Sequence, residues 1–370
     1  MQFNDLGKQY QQYKEEIDAA IQNVLNSNHF IMGKEVYEIE EQLAEYIDQN
    51  HCISTSSGTD SLLMSLMAIG VGSGDEVITV PFTWIATAEV IKLLGAKPVF
   101  VDIDPKTYLM DLNHVEAAIT EKTKAIIPVD LFGHLVDYDQ LHQIASKNGI
   151  TVIQDAAQSF GATQNSRKSC SQGHISCTSF FPAKSLGCYG DGGAIFTDND
   201  SLASDLRAIR THGGQQRHVH THVGINGRLD TIQAAVLLVK LRYFDQELRR
   251  RQELAIRYTD ALSSSFVTPV TLENNTHSYA VYTIRTEHRE EIQGALKSQG
   301  VPTAVYYPKS LHEQPVFGDL GYTIGDFPHS EKASQQVLSL PIHPWLTEEE
   351  QTLVIDQLLE QCLTPARGEK

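Results

Sequence analysis

The sequence predicts an α/β domain around a mostly parallel β-sheet, followed by a smaller α+β domain. From about Glu35 onward, short apolar runs alternate with helical patterns, as is typical of parallel strands joined by helices. After a long helical stretch at Leu229–Leu262, the pattern changes to strand, helix and strand. At 370 residues the chain is long enough for two cores. We therefore expect a large domain over residues 1–245 and a small one over residues 246–370.

The individual elements follow from the period of the apolar residues, which is about two in strands and 3.6 in helices. The expected strands are Cys52–Ser54, Glu76–Val80, Pro98–Ile103, Lys124–Val129, Thr151–Asp155, Tyr279–Thr286 and the segment VPTAVYYP. The expected helices are the stretch that carries Val36, Ile39, Leu43 and Tyr46, GTDSLLMSLMAIG with Gly70 at its end, Leu229–Leu262, and HREEIQGALKSQG.

Composition narrows the functional class and the compartment. The chain has 29 Lys and Arg against 46 Asp and Glu, a net charge of −17 that disfavours nucleic acid and anionic membranes as partners. No apolar run is long enough to span a bilayer, and MQFNDLGKQYQQYKEE lacks the apolar core of a signal peptide. The five cysteines are an odd number without CxxC pairs, which indicates reduced thiols. We expect a cytoplasmic protein.

The segment TSFFPAKSLGCYGDGGAIF contains the strongest catalytic candidate, Lys184. This lysine lies between the aromatic pair Phe180–Phe181 and a glycine-rich stretch, Gly187 to Gly193. An apolar setting lowers the pKa of a lysine, as Schiff-base chemistry requires, and glycines let the backbone approach a ligand. A surface lysine in a flexible loop would give the same local pattern, so the interpretation depends on partner residues.

Asp155 is the first such partner, at the carboxyl end of the strand TVIQD. Ligands of open α/β sheets bind beyond these strand ends, and a pyridoxal-phosphate enzyme needs a carboxylate against its pyridinium nitrogen. Alternatively, Asp155 caps the turn that follows.

Two further segments are compatible with a bound cofactor. In STSSGTDSL, Gly58 and Thr59 begin a helix whose free N–H groups suit a phosphate, although Ser and Thr are also ordinary caps. Trp84, in PFTWIATAEV, is placed to stack on an aromatic ring or to fill the core. Together and in this order, the four signals predict a pyridoxal-phosphate site more specifically than any one of them. They are the Gly58–Thr59 turn, Trp84, Asp155 and Lys184.

These segments, with GINGRLDTIQAA, resemble the DegT-type sugar aminotransferases, pyridoxal-5'-phosphate (PLP) enzymes with an aspartate aminotransferase-like fold (fold type I). The similarity runs from FNDL to LSLPIHPWL. It is strongest to members that aminate UDP-2-acetamido-2-deoxy-3-oxo-D-glucuronate. The resemblance implies a cytoplasmic homodimer with shared active sites that serves surface-polysaccharide (O-antigen) sugar synthesis, takes its amino group from L-glutamate and passes through pyridoxamine phosphate.

The resemblance also implies residue roles. Lys184 would carry PLP as a Schiff base and move the proton, with Asp155 on the pyridinium nitrogen. The remaining cofactor contacts would be Gln158 on the ring hydroxyl, Trp84 on the ring face, Gly58, Thr59 and Ser179 on the phosphate, and Asn226 on the phosphate of the other subunit. Arg228 is a candidate for a cofactor or substrate anion.

Two features concern the sugar. Many relatives have His before the Tyr in the segment that reads AVYYPKSL here, whereas this chain has Tyr306 and Tyr307 at a place expected to face the sugar. In RHVHTHVG, His218, His220 and His222 alternate, so on a strand they would share one face. No carboxylate or thiol completes a metal site there; contacts of His222 to a substrate anion and a solvated loop are the other interpretations. We expect no metal.

Two other functions stay open at this point. A 4-keto-6-deoxyhexose aminotransferase acting on a UDP- or TDP-sugar would have the same catalytic residues and a different sugar pocket. A PLP-dependent sugar dehydratase or a PLP-binding regulator is the other alternative. The resemblance implies that dehydratases replace the Schiff-base lysine with histidine, so Lys184 argues against dehydration.

Overall fold

The computed structural model describes residues 1–216 and 218–363. Its strands are β1 (His51–Thr55), β2 (Glu76–Thr79), β3 (Lys97–Phe100), β4 (Thr123–Ile126), β5 (Thr151–Asp155), β6 (Thr163–Gln164), β7 (Arg167–Lys168), β8 (Ile175–Ser179), β9 (Gly193–Thr197), β10 (Gly214–Gln216), β11 (Val219–His220), β12 (Tyr282–Arg285) and β13 (Val337–Leu340). Its α-helices are α1 (Leu6–Ser27), α2 (Lys34–Ile47), α3 (Gly58–Ala68), α4 (Ala86–Leu93), α5 (Val115–Ala118), α6 (Tyr138–Asn148), α7 (Asp200–Arg210), α8 (Thr231–Leu241), α9 (Phe244–Leu262), α10 (Arg289–Ser298), α11 (Pro328–Gln336) and α12 (Glu348–Leu363).

The central sheet has seven strands in the order β1-β9-β8-β5-β4-β2-β3. The pairs from β8 to β3 are parallel, and β9 runs antiparallel to both of its neighbours. This confirms the predicted α/β class with a mostly parallel sheet. Helical crossovers cover both faces, which explains why its strands have continuous apolar runs.

Successive residues of one strand enter different cores because a strand points its side chains to opposite faces. In β5, Val152 belongs to the cluster that contains Leu141 of α6, and Ile153 belongs to the cluster that contains Leu62 of α3. The sheet is therefore the rigid layer between two cores, and its carboxyl edge can hold side chains in fixed positions.

The second half of the chain has a hydrophobic cluster of its own. This cluster gathers buried residues from Leu254 to Leu358, and it includes the two strands β12 and β13, which pair antiparallel. The division at residues 245/246 stays a prediction, and residues 364–370 of the predicted small domain lie outside the described residues.

Two predicted elements were wrong in detail. The helix predicted over Leu229–Leu262 is two helices, α8 and α9, separated at Arg242 and Tyr243. There the Tyr243 ring stacks on Tyr13, with centroids 4.3 Å apart and planes at 12°. VPTAVYYP is not a strand: it forms one bridge to β13, from Ala304 to Ser339, and no ladder. Within the described residues, no helix is long and apolar enough to cross a membrane.

Candidate active site

Asp155 ends β5 at the carboxyl edge of the sheet and is 5% exposed. Its Oδ2 accepts a hydrogen bond from Thr87 Oγ1 at 2.8 Å, and its Oδ1 accepts one from the backbone N–H of Ala157 at 3.2 Å. Burial raises the pKa of this carboxyl, while these two donors and the charge of Lys184 lower it. Asp155 thus caps the turn that follows, as the alternative interpretation predicted, and the bond from Thr87 fixes its other oxygen at the edge of the sheet.

Lys184 lies in the connection between β8 and β9. Its backbone N–H donates to Phe181 O at 2.9 Å, which closes a tight turn, and Cys188 N–H donates to Phe180 O at 2.8 Å. Burial lowers the pKa of the Lys184 ammonium, and the charge of Asp155 raises it. Lys184 and Asp155 thus lie close enough for the charge of each group to shift the pKa of the other.

The segment that begins α3 closes tightly on the end of β8. Ser57 caps α3 by accepting the N–H of Asp60 at 3.0 Å, whereas the N–H groups of Gly58 and Thr59 have no acceptor within the helix. A Cβ on Gly58 would lie 2.8 Å from Ser179 Cβ. Only glycine permits this approach, which places two free N–H groups beside the Ser179 hydroxyl at a helix N-terminus.

Gln158, Tyr307 and Trp84 form another side of the site. Gln158 Nε2 donates to Tyr307 Oη at 3.2 Å, and Gln158 Oε1 accepts the N–H of Phe132 at 3.0 Å. The Trp84 side chain is 59% exposed, with its ring centroid 6.1 Å from that of Tyr307. Trp84 therefore does not fill the core. Burial also raises the pKa of Tyr307, which keeps its hydroxyl protonated.

Tyr306 precedes Tyr307 through a cis peptide bond, and the two rings lie 5.8 Å apart at 62°. Because the rings diverge, Tyr307 reaches Gln158 while Tyr306 packs edge-on against Phe3 with centroids 6.2 Å apart. The two tyrosines predicted to face the sugar thus have different partners.

Asn226 and Arg228 lie in the segment before α8. The backbone N–H of Ser56 donates to Gly227 O at 2.9 Å, so this segment runs beside the turn that leads to Gly58. The Asn226 residue is exposed, and the Arg228 Nε is buried without a hydrogen-bond partner among the described residues. The reach of Asn226 into a second subunit stays a prediction.

The histidine cluster does not form the shared face that alternation on a strand would give. Strand β11 covers only Val219–His220, and His218 has a φ of 65°. His220 Nδ1 lies 2.8 Å from His212 O, and His222 Nε2 lies 3.5 Å from Asp205 of α7. Arg217 of the segment RHVHTHVG lies outside the described residues, and within them no group of three or more His, Cys, Asp or Glu is placed to hold a metal.

Thr87 is a site residue that the sequence reasoning missed. It lies in the first turn of α4, directly after the Trp84 segment, and its side chain is 1% exposed. The available signal in the sequence was a hydroxyl residue in the first turn of a helix that follows a strand of the parallel sheet. That helix begins near the strand end that carries Asp155.

Comparisons with known proteins agree with this geometry. Residues 11–359 match the model of the DegT/DnrJ/EryC1/StrS aminotransferase family. The chain is 52% identical to the UDP-2-acetamido-2-deoxy-3-oxo-D-glucuronate aminotransferase of Pseudomonas aeruginosa, over 94% of this chain and 96% of the relative.

Solved structures show the same fold. A DegT DnrJ EryC1 StrS aminotransferase from Brucella abortus is 42% identical, with a TM-score of 0.96 over 98% of this chain and all of the other. The NtdA protein of Bacillus subtilis, solved with bound cofactor PMP, is 33% identical, with a TM-score of 0.90 over 95% of this chain and 82% of the other.

Proposed function

Because the chain belongs to the DegT/DnrJ/EryC1/StrS aminotransferase family, we propose that it is a PLP-dependent enzyme that aminates UDP-2-acetamido-2-deoxy-3-oxo-D-glucuronate with L-glutamate as donor. The observation that carries the chemistry is the approach of Lys184 to the buried carboxyl of Asp155 at the carboxyl edge of the sheet, where the charge of each group shifts the pKa of the other. The sugar is taken from the 52% identical relative, whose chain is matched almost from end to end.

The residues present fit PLP. The close approach of Gly58 to Ser179 forms a cradle for the phosphate, and the buried, unpartnered Arg228 Nε is a donor for an anion. The Asp155 carboxylate would accept a hydrogen bond from the protonated pyridine nitrogen, and Gln158 would meet the ring hydroxyl. When bound, PLP supplies an electron sink for the carbanion at the reacting carbon.

The side chains around Lys184 then account for proton movement. Burial lowers the pKa of Lys184, so a larger fraction of its amine is neutral and able to act as a base near neutral pH. Lys184 Nζ takes the α-proton of the donor amino acid in one half-reaction. In the other half-reaction it delivers a proton to the sugar carbon that receives the amino group.

Asp155 and Tyr307 hold the geometry in which Lys184 works. Asp155 is fixed through both oxygens, and its carboxylate favours the protonated form of the ring nitrogen. Tyr307 restrains the Gln158 side chain by accepting a hydrogen bond from its amide. A preorganised arrangement of this kind lowers the barrier because little reorganisation is needed in the transition state.

We propose that the protein is a homodimer with two shared sites, and that it works in the cytoplasm in O-antigen synthesis. The dimer is supported by a group of exposed apolar residues near the Asn226 segment. Phe30 is 43% and Ile31 54% exposed, and the backbone of these residues pairs with Asp230 and Thr231. Val223, three residues before Asn226, is 86% exposed. A second subunit covering this group would bring Asn226 towards a neighbouring site.

The test is to load the protein with pyridoxamine phosphate and offer a panel of UDP- and TDP-keto-sugars. Return of the absorbance of lysine-bound PLP with the UDP-3-oxo-glucuronate sugar supports the proposal. A response only to 4-keto-6-deoxyhexoses would select the alternative acceptor. No response to any sugar, together with no response of the PLP-loaded protein to glutamate, would point to a regulator. Lys184→Ala is the matched control, and we expect it to bind PLP but not to turn over; full activity in Lys184→Ala would refute the assignment.

A further inference from the structure

Phe3 and Asn4, which lie shortly before α1, contact two sides of the candidate active site. The side-chain amide of Asn4 donates to the backbone carbonyl of Ala183 at 3.0 Å, a contact between residues 179 positions apart in the chain. Ala183 directly precedes Lys184. One residue earlier, the Phe3 ring packs edge-on against Tyr306. The segment Phe3–Asn4 therefore joins the turn of the catalytic lysine to Tyr306, one of the two tyrosines expected to face the sugar.

Helix α1, which follows this segment, is held by contacts with other helices. Asp5 caps α1 by accepting the N–H of Lys8 at 2.9 Å, and Lys8 pairs with Glu350 of α12 at 3.3 Å. Farther along α1, Tyr13 stacks on Tyr243 beside the break between α8 and α9. Because α1 is held along its length, Asn4 projects from a fixed position towards Ala183.

Among the described residues, few other hydrogen bonds restrain the side of the Lys184 turn that faces Asn4. Residues Phe181 and Ala183 are exposed, and the turn is closed by one backbone bond, from Lys184 N–H to Phe181 O. On the far side of the lysine, the buried ammonium of Lys240 in α8 bonds to Gly187 O, and Gln233 Oε1 accepts the N–H of Tyr189 at 2.8 Å. Asn4 supplies the matching restraint on the near side.

We propose that Phe3 and Asn4 belong to the active site: Asn4 is a positioning residue for Lys184, and Phe3 supports the pocket wall at Tyr306. The Phe3 part rests on the proposed function, because it assumes that the sugar lies against Tyr306. The Asn4 part requires only the turn geometry, and it can be tested on protein without cofactor or substrate.

The first test compares Asn4→Ala and Asn4→Asp with wild type by amide hydrogen exchange of the peptide that covers residues 181–185, in cofactor-free protein. Loss of one net hydrogen bond should speed exchange there about fivefold. Asn4→Asp should have the larger effect because its carboxylate cannot donate and repels the carbonyl oxygen. Gln2→Ala, a change at an exposed neighbouring residue, is the matched control and should leave this exchange unchanged.

A second measurement separates positioning from general stability. In Asn4→Ala the affinity for PLP should fall about fivefold and kcat should fall in both half-reactions, with little change in the KM of the sugar. Phe3→Ala should raise the KM of the sugar and leave exchange at residues 181–185 near the wild-type rate. Asn4→Gln, which keeps a donor on a longer side chain, should recover part of the loss.

The proposal is overturned if exchange at residues 181–185 in Asn4→Ala equals that of wild type, or if Gln2→Ala accelerates it equally. Failure of every keto-sugar in the panel, with the exchange result intact, would refute the proposed substrate and leave the role of Asn4 standing. The two failures are therefore distinguishable.

Discussion

Replacing Thr87 with valine removes one hydrogen bond from Asp155 while nearly conserving the shape of a side chain that is 1% exposed. Among the described residues, Asp155 then keeps only the backbone N–H of Ala157, at 3.2 Å, as a hydrogen-bond donor. Burial already raises the pKa of Asp155, and loss of the 2.8 Å bond raises it further. The carboxylate form that pairs with the pyridine nitrogen is therefore disfavoured in Thr87→Val.

The size of the effect follows from the kind of bond that is lost. A hydrogen bond to a charged group contributes about 1.5–3 kcal/mol, so the dissociation constant for PLP should rise about 10- to 150-fold in Thr87→Val. The loss should be largest at low pH, where the carboxyl with the raised pKa is protonated more readily. Thr87→Ser, which restores a hydroxyl donor, should recover most of the affinity.

The assay is a PLP titration by absorbance or fluorescence at several pH values. Thr79→Val is the matched control, because Thr79 is fully buried and also donates a bond of 2.8 Å, in this case to the backbone carbonyl of Ile127. It should cost about 1 kcal/mol of unfolding free energy without weakening PLP. A PLP affinity in Thr87→Val within twofold of wild type would refute the reasoning, as would an equal loss in Thr79→Val.

Two other changes test separate parts of the structure. Gly58→Ala would place a Cβ 2.8 Å from Ser179 Cβ, so the two segments must move apart. We expect the free energy of unfolding to fall by about 1–3 kcal/mol in chemical denaturation, and inorganic phosphate to compete more weakly with PLP. Unchanged competition by phosphate would contradict a phosphate site at Gly58 and Ser179. Asp130→Asn tests a buried carboxyl whose pKa burial raises to about 7, against four donors that lower it. The folded state keeps this proton up to about pH 7, whereas the unfolded chain releases it near pH 4. The contribution of Asp130 to the free energy of unfolding should therefore fall by up to about 4 kcal/mol between pH 4 and pH 7. Urea titrations of Asp130→Asn should not show this fall. An equal slope in both proteins would show that Asp130 does not titrate in this range.

Much of the fold was predictable because its signals are local. The strand TVIQD and the turn around Lys184 follow from apolar period, chain direction and glycine content within a few residues. The position of Asp155 at the end of β5 agrees with the sequence, because the apolar run TVIQ ends there; its role towards a ligand stays a prediction.

What the sequence did not predict depends on contacts between distant residues. The bond from Thr87 to Asp155 spans 68 positions, and that from Asn4 to Ala183 spans 179. The segment VPTAVYYP has strand-like composition, but it makes a single bridge to β13, through Ala304 and Ser339. The break between α8 and α9 coincides with the stacking of Tyr243 on Tyr13, which the helical period of either segment alone cannot reveal.

The reversed strand β9 has a consequence for how such an enzyme can change its substrate. Ser179 and Gly193 are opposite partners in the β8–β9 ladder, so the phosphate cradle and both ends of the lysine connection share one rung of the sheet. A slip of one residue in this ladder would turn every side chain to the other face and displace both at once. Phe3 and the two tyrosines lie outside this ladder, where exchange of single residues leaves the rung intact. Residues expected to meet the sugar can therefore be exchanged singly without altering the strand register that holds Ser179 opposite Gly193.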